Sequence, residues 1–264
     1  MKKTDYIFII FALILLIGCK KETEEISTYN KPVVEAYLIP GMPLQVKVYY
    51  QKYLQDTITY GYPVTGLKPR VLDGSGNSVA LTETNSGVYT YSDPSFVKAS
   101  GNYTLNFDLD GYQISAETTM PDKPKNFRVS SSQQQIPTMG LGSSSGTFTP
   151  VIFSWLNPSS AYYMISFQNI EAYPTTINSR VTSPALNVEV LAGQTSSYQT
   201  QQANFNYLGL HRVLLFHINK EYNDALKASG ETSLSLNTPY TNVKNGLGIF
   251  TAMQADTLYL SVYR

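Results

Sequence analysis

Apolar and polar residues alternate with a period of two along most of the chain, a pattern that predicts half-buried β-strands. The clearest run is "NYTLNFDLDGYQISAET", residues 102–118. Tyr103, Leu105, Phe107 and Leu109 share one face of it, and Thr104, Asn106 and Asp108 the other. Asp110-Gly111 then predicts a type I′ hairpin turn, after which Tyr112, Ile114 and Ala116 resume the alternation. Upstream, "VVEAYLI" and "LQVKVYYQ" predict two more strands, the second with Val46, Val48 and Tyr50 on one face. The turn Asp73–Asn77 splits "PRVL" from "SVALTE". Residues 32–120 are thus expected to fold as an antiparallel sandwich with one dry face per sheet.

"MPDKPK" follows, with two prolines and no apolar period, and predicts a linker over residues 121–125. A second sandwich is expected over 126–264. Phe127 and Val129 begin it, and Val151, Phe153 and Trp155 alternate inward. After the Asn157-Pro158 turn, Tyr163, Ile165 and Phe167 do the same. Between them lies "SSSQQQIPTMGLGSSSG", Ser130–Gly146, whose low-complexity polar composition predicts a poorly ordered loop. It is either a hairpin loop or a mobile contact loop at one end of the sandwich. "HRVLLFHI" is a further strand. "NKEYNDALKAS" predicts the one short helix, with Asn219 as N-cap, Tyr222, Ala225 and Leu226 on one face, and Gly230 as its stop. "GLGIFTAMQ" and "DTLYLSVYR" close the chain as strands. The fold class is mainly β: two consecutive antiparallel β-sandwiches, Ig-like or fibronectin III-like, with one short helix.

The first residues follow a different pattern. Lys2 and Lys3 precede an almost unbroken apolar run, Tyr6–Gly18. As a helix this run reaches about 20 Å, short of the roughly 30 Å hydrocarbon core, so a signal peptide over residues 1–18 is expected rather than a membrane span. Leu16-Ile17-Gly18-Cys19 resembles the bacterial lipobox, with a leucine three positions before the cysteine and a small residue just before it. That resemblance implies cleavage between Gly18 and Cys19 and acylation of Cys19, whose two or three acyl chains (palmitate among them) anchor a protein stably. Cys19 is the only cysteine, so disulfides are excluded. Residues 19–31 read as an acidic tether. Lys20, Lys21, Glu22, Glu24 and Glu25 either only solvate it or form a signal resembling that of surface-exported Bacteroidota lipoproteins.

Composition narrows the partners. The chain has 19 basic and 19 acidic residues, and the leader takes only Lys2, Lys3 and Asp5 with it. A near-neutral mature chain lacks the basic face that nucleic acid requires. Tyrosine is abundant, at 21 residues, while charged residues make up 14%, which again favours strands. Tyr49, Tyr50 and Tyr53, with Tyr60 and Tyr62, either pack inward or present rigid amphipathic rings to a glycan or peptide ligand.

No catalytic pattern is present. His211 and His217 face the same side of one strand but stand about 20 Å apart at 3.3 Å per residue, too far to share a metal ion. No carboxylate or cysteine cluster has metal-ligand spacing, and no cofactor fingerprint follows the two "GLG" sequences. Asp108 and Asp110 beside the hairpin turn are either solvated carboxylates or ligands of a calcium ion. Asp56-Thr57-Ile58 and Asp256-Thr257-Leu258 resemble a short bacterial O-glycosylation acceptor.

Longer stretches carry a family resemblance. "PVVEAYLIPGMPLQVKVY" follows the cysteine. "SGVYTYSDPSFVKASGNYTLNFDLDGYQISAETTMP" contains a Gly-x-Tyr, then a Gly-x-Tyr-x-Leu, then an alanine before Met-Pro. "HINKEYNDAL" and "PYTNVKNGLGIFTA" come later, the last with Asn-x-x-x-Gly-x-Gly-x-Phe. Taken in order, these resemble a Bacteroidota outer-membrane lipoprotein family catalogued as domain of unknown function 4249. The resemblance implies an outer-membrane, cell-surface accessory of a TonB-dependent receptor, and it transfers no catalytic or binding residue. The alternative is a pilin-like structural lipoprotein in which "DTLYLSVYR" acts as a donor strand.

Overall fold

In the computed structural model, residues 30–51, 60–140, 143–229 and 240–264 are described. The leader, Cys19 and the charged residues Lys20–Glu25 lie outside them, as do Tyr53, Asp56-Thr57-Ile58 and Gly230. The first half of the chain forms β1 (Pro32–Leu38), β2 (Leu44–Tyr50), β3 (Arg70–Asp73), β4 (Ser78–Ala80), β5 (Thr82–Asn85), β6 (Val88–Tyr91), β7 (Asn102–Leu109) and β8 (Tyr112–Thr119). Next come β9 (Lys125–Val129), β10 (Gln133–Gln135), β11 (Thr138–Gly140), β12 (Ser143–Ser145), β13 (Ile152–Leu156), β14 (Tyr162–Asn169), β15 (Thr175–Thr176), β16 (Asn187–Gly193) and β17 (Ser197–Gln199). The last part holds β18 (Tyr207–Ile218), helix α1 (Lys220–Ser229), β19 (Val243–Lys244) and β20 (Leu247–Tyr263).

The expected alternation is visible as burial. Tyr103, Leu105, Phe107 and Leu109 are buried, and so are Val151, Phe153 and Trp155; Tyr163, Ile165 and Phe167 are buried as well, but in β14 so are Met164 and Ser166 between them. Asp110 and Gly111 both have positive φ, 51° and 81°, as a type I′ turn requires. The Asp73 carboxylate accepts from the backbone N–H groups of Ser75 and Asn77 and so closes the 73–77 turn. These bonds to its anionic form lower its pKa, with the Asn77 side chain the largest contributor.

A ten-stranded sheet runs in the order β16-β14-β18-β20-β1-β2-β6-β5, with β10 also on β20 and β15 on β18. Two smaller sheets, β19-β8-β7-β3-β4 and β17-β13-β9, complete the layers. The second core lies between β9 and β13 on one side and β14, β18 and β20 on the other. Phe127, Phe153, Trp155, Ile165, Phe167, Leu215 and Leu260 fill it. Helix α1 lies across the junction, where Tyr222 and Leu226 pack on Met164, Ile218 and Met253. Its expected cap, Asn219, turns its carboxamide N–H groups toward Thr118, Thr119 and Ala252.

Three features depart from the sequence expectation. First, the two terminal stretches form one 17-residue strand, β20. Its first part pairs in parallel with β1, from Val33↔Leu247 to Leu38↔Ala252. Its remainder pairs antiparallel with β18, from Ile218↔Met253 to Gly209↔Val262. Second, β19 pairs with β8, so chain from beyond the expected boundary at 121–125 completes the first sandwich. Residues Lys31–Arg264 form one unit. Third, the Ser130–Gly146 segment carries strands β10, β11 and β12 in place of a plain loop. The Gln134 side chain is buried there because its hydrogen bonds are met. Its amide donates to Gln135 O and Thr149 O, and its oxygen accepts from Val151 N and Thr200 Oγ1. Ile136 adds an apolar anchor beside it.

Gly248 sets how closely β20 and β1 approach. Its φ is +92°, and a Cβ there would lie 2.0 Å from the Val34 carbonyl oxygen. Gly248→Ala is expected to lose about 4 kcal/mol, because backbone strain and a backbone clash combine. Gly41 has φ +78° with no atom within 4 Å of the same position. Gly41→Ala is expected to cost only about 1 kcal/mol, from φ strain alone. Urea denaturation midpoints of the two variants separate the effects.

Candidate binding surface

On the outer face of the ten-stranded sheet, β1 turns out Glu35 and Tyr37, and β2 turns out Gln45, Lys47 and Tyr49. This follows from the period: Val34, Ala36, Val46 and Val48 point into the core. Glu35 and Lys47 are register partners, with Nζ 3.7 Å from the carboxylate. The same ammonium lies 5.6 Å above the ring of Tyr60, which meets Tyr49 edge-on at 5.0 Å. Tyr37 meets Tyr222 of α1 edge-on at 5.4 Å. A groove of about 390 Å³ adjoins them, lined by Glu35, Tyr37, Met42, Gln45, Lys47 and Thr90, among others.

Burial governs the phenols in this patch. It pushes the Tyr49 hydroxyl up to about 12, with the nearby Glu35 carboxylate and Tyr60 adding to the shift. Tyr37 is raised further, again mainly by burial and then by Tyr222 and Glu35. Both therefore remain protonated donors at neutral pH. Of the tyrosines singled out in the sequence, the fold brings Tyr49 and Tyr60 into contact. Tyr62 stands 74% exposed, and Tyr50 is half-buried.

The other sequence candidates are dispersed. His211 is buried, with its Nδ1 3.1 Å from Gly209 O and its ring edge-on to Phe205. His217 stacks on Tyr163, and its Nδ1 lies 2.7 Å from Asp122 O. Asp110 occupies the hairpin turn at the end of β7. Among the described residues, no group of three or more His, Cys, Asp or Glu side chains is placed to hold a metal ion. Thr257 is exposed on β20, and the preceding Asp256 pairs with Lys123 at 2.9 Å. The last strand is paired on one edge by β18 and on the other by β1 and β10.

The sequence did not reveal a polar cleft of about 600 Å³ where β8, α1 and the chain before β19 converge. Glu117, Thr119, Asn219, Glu221, Tyr240 and Asn242 are among its lining residues. They come from separate stretches of chain, so no local spacing marks them.

The motif residues have structural partners. Gly87 has φ +70°, with the Val48 carbonyl 2.6 Å from where a Cβ would be. Two residues on, the buried Tyr89 hydroxyl donates to Val64 O and accepts from Leu67 N. The Tyr103 hydroxyl accepts from Lys98 N. Asn242 takes both backbone groups of Phe250: its amide donates to the carbonyl at 2.7 Å, and its oxygen accepts from the N–H at 3.0 Å. The amide also reaches Glu117 O on β8. A Cβ at Gly246 would come within 2.8 Å of Val243.

The raised Tyr49 hydroxyl makes stability depend on alkaline pH. Its folded pKa lies above the unfolded value near 10, so its contribution is complete below pH 10 and is lost as pH rises through about 12. Thermal melts should therefore fall in this window, and Tyr49→Phe should flatten the decline. An unchanged slope in that variant would contradict the assignment. Asn242→Ala, which leaves the Phe250 backbone groups unpaired, should cost about 2–3 kcal/mol by urea denaturation.

No curated protein matches the chain. Among solved structures, the FN1–FN3 domains of chicken CNTN1 are similar at 14% identity and a TM-score of 0.27, covering 73% of this chain and 61% of that one. The chain thus spans less than two thirds of that fragment. A two-domain fibronectin type III segment from chicken tenascin is similar at 12% identity and a TM-score of 0.23, covering 88% and 99%. The sequence matches the family described as Domain of unknown function (DUF4249) over residues 21–258, and the chain belongs to that family.

Proposed function

We propose that this chain is an outer-membrane lipoprotein of Bacteroidota, anchored by acyl chains on Cys19, facing the cell exterior and serving as a non-catalytic binding component beside a TonB-dependent transporter. The observation that carries the reading is where the motif residues are used. Gly87, Tyr89, Tyr103, Asn242, Gly246 and Gly248 go into close strand approach and backbone hydrogen bonds rather than into a reactive constellation. In such a design the motif residues build the frame, and binding is left to its outer surfaces. Lipobox and tether supply the anchor and the address. The face around Tyr37, Tyr49 and Tyr60 supplies rigid rings beside an acid–base pair, chemistry suited to a glycan or a peptide. A donor-strand role fits less well, because the second part of β20 already pairs with β18 from Met253 to Val262 and with β10 from Ser261 to Tyr263.

The test is crosslinking on intact cells followed by membrane pull-down, which should recover a TonB-dependent receptor. Recovery of none would count against the accessory role. Cys19→Ala should release the chain from the membrane fraction. Replacing Lys20–Glu25 with alanine should remove its accessibility to protease added to whole cells, and unaltered accessibility would leave these residues as a tether only.

A further inference from the structure

Strand β16 ends the ten-stranded sheet, with β14 as its partner on one edge. Its seven residues make it longer than β5 at the far end of the same sheet, and longer than β4, β9, β17 and β19 at the ends of two others. One bond fixes which of its backbone groups are free. Asn169 N donates to Leu186 O at 2.8 Å, in register with Phe167↔Val188 and Ile165↔Val190. Hydrogen-bonded and open pairs alternate along an antiparallel ladder, so Val188 and Val190 direct their N–H and C=O groups at β14. Those of Asn187, Glu189 and Leu191 point away from it, and no hydrogen bond takes them among the described residues.

The side chains show the same open edge. Val190 and Ala192 pack on the second core yet stay partly exposed, whereas Ile165 and Phe167 on the neighbouring strand are 0% and 1% exposed. Sheet ends are commonly blunted by lysine, proline or a bulge. β16 contains neither lysine nor proline, and its register shift lies between Leu191 and Gly193, at its far end.

We propose that this edge pairs with the same edge of a second copy of the chain, antiparallel about a twofold axis at Val190. Whatever closes the edge has to bring free backbone groups at alternate residues and apolar side chains on the core face. β16 itself has both. In this register Glu189 and the partner's Leu191 exchange both backbone bonds. On the core face Val190 meets its own counterpart, and Val188 meets the partner's Ala192. Moving the axis to Glu189 sets two carboxylates directly opposite each other, and moving it to Leu191 carries the pairing into the irregular end. The contact is isologous, with one strand serving on both sides. The assignment stands apart from the transporter reading, since it uses neither the anchor nor the tyrosine face.

Sedimentation and disulfide trapping of the full chain, purified in detergent, test it. The seam is small, so dimer should grow in reversibly between about 1 and 100 µM. Val190→Cys sets the new thiols directly opposite, with Cβ atoms about 5 Å apart. Val188→Cys leaves them offset along the seam by about 13 Å, beyond disulfide reach. Mild oxidation should therefore trap at least about fivefold more dimer in Val190→Cys, over the background that Cys19 gives in the parent. Glu189→Pro removes an N–H from the open edge and none from the β14 ladder, so it should abolish dimerisation and melt like the parent. A parent that stays monomeric at about 100 µM, equal trapping in the two cysteine variants, or a folded Glu189→Pro that still dimerises overturns the pairing.

Discussion

One strand, β20, has to satisfy two sandwiches at once. Over its first part it is a central strand beside β1, and over its second it is a partner of β18 and β10. Both of its faces are covered where the two parts meet, and Ile249–Gln254 are buried without a break. A residue in that stretch must fit a core on one side and the packing beneath α1 on the other. The two halves of the chain therefore share a structural member, and neither contains a complete set of strands without it. β1 and β20 also join strands that lie far apart in the sequence, a non-local contact whose loop closure slows folding.

Side chains complete the hydrogen bonding where strands do not. Phe250 has its backbone groups matched by Asn242, while Ala252 has its N–H taken by Thr118 Oγ1 and its carbonyl approached by Asn219. Gln254 then donates to Ala99 O and Pro121 O, across from the linker. Carboxamides suit this task because each carries a donor and an acceptor spaced like those of a peptide group. The arrangement explains why asparagine and glycine, rather than catalytic residue types, mark this stretch of the sequence.

Much of this was legible in the sequence, wherever one face of a strand is wet. Residues 103–109 and 151–155 display the period of two because their outer faces are wetter than their inner ones, and the Asp110-Gly111 turn has a local steric code. The unity of β20 was hidden for the opposite reason. Burial on both faces of Ile249–Gln254 erases the alternation, so the stretch reads as a separate piece. The buried Gln134 was hidden by composition, since nothing local distinguishes it from its exposed neighbours Gln133 and Gln135. Of the candidate surface, the tyrosines were visible as a cluster, but the pairing of Glu35 with Lys47 depends on register. The open edge of β16 was hidden as well, since only its register with β14 shows which backbone groups it leaves free.

The parallel pairing of β1 with β20 has a mechanical consequence. A pull along the axis of β1 from its Pro32 end meets hydrogen bonds to β2 on one side and to β20 on the other. Such a pull loads both ladders in shear, so the bonds share the force and fail together instead of unzipping one at a time. β1 is thus braced on both edges against being drawn out of the fold.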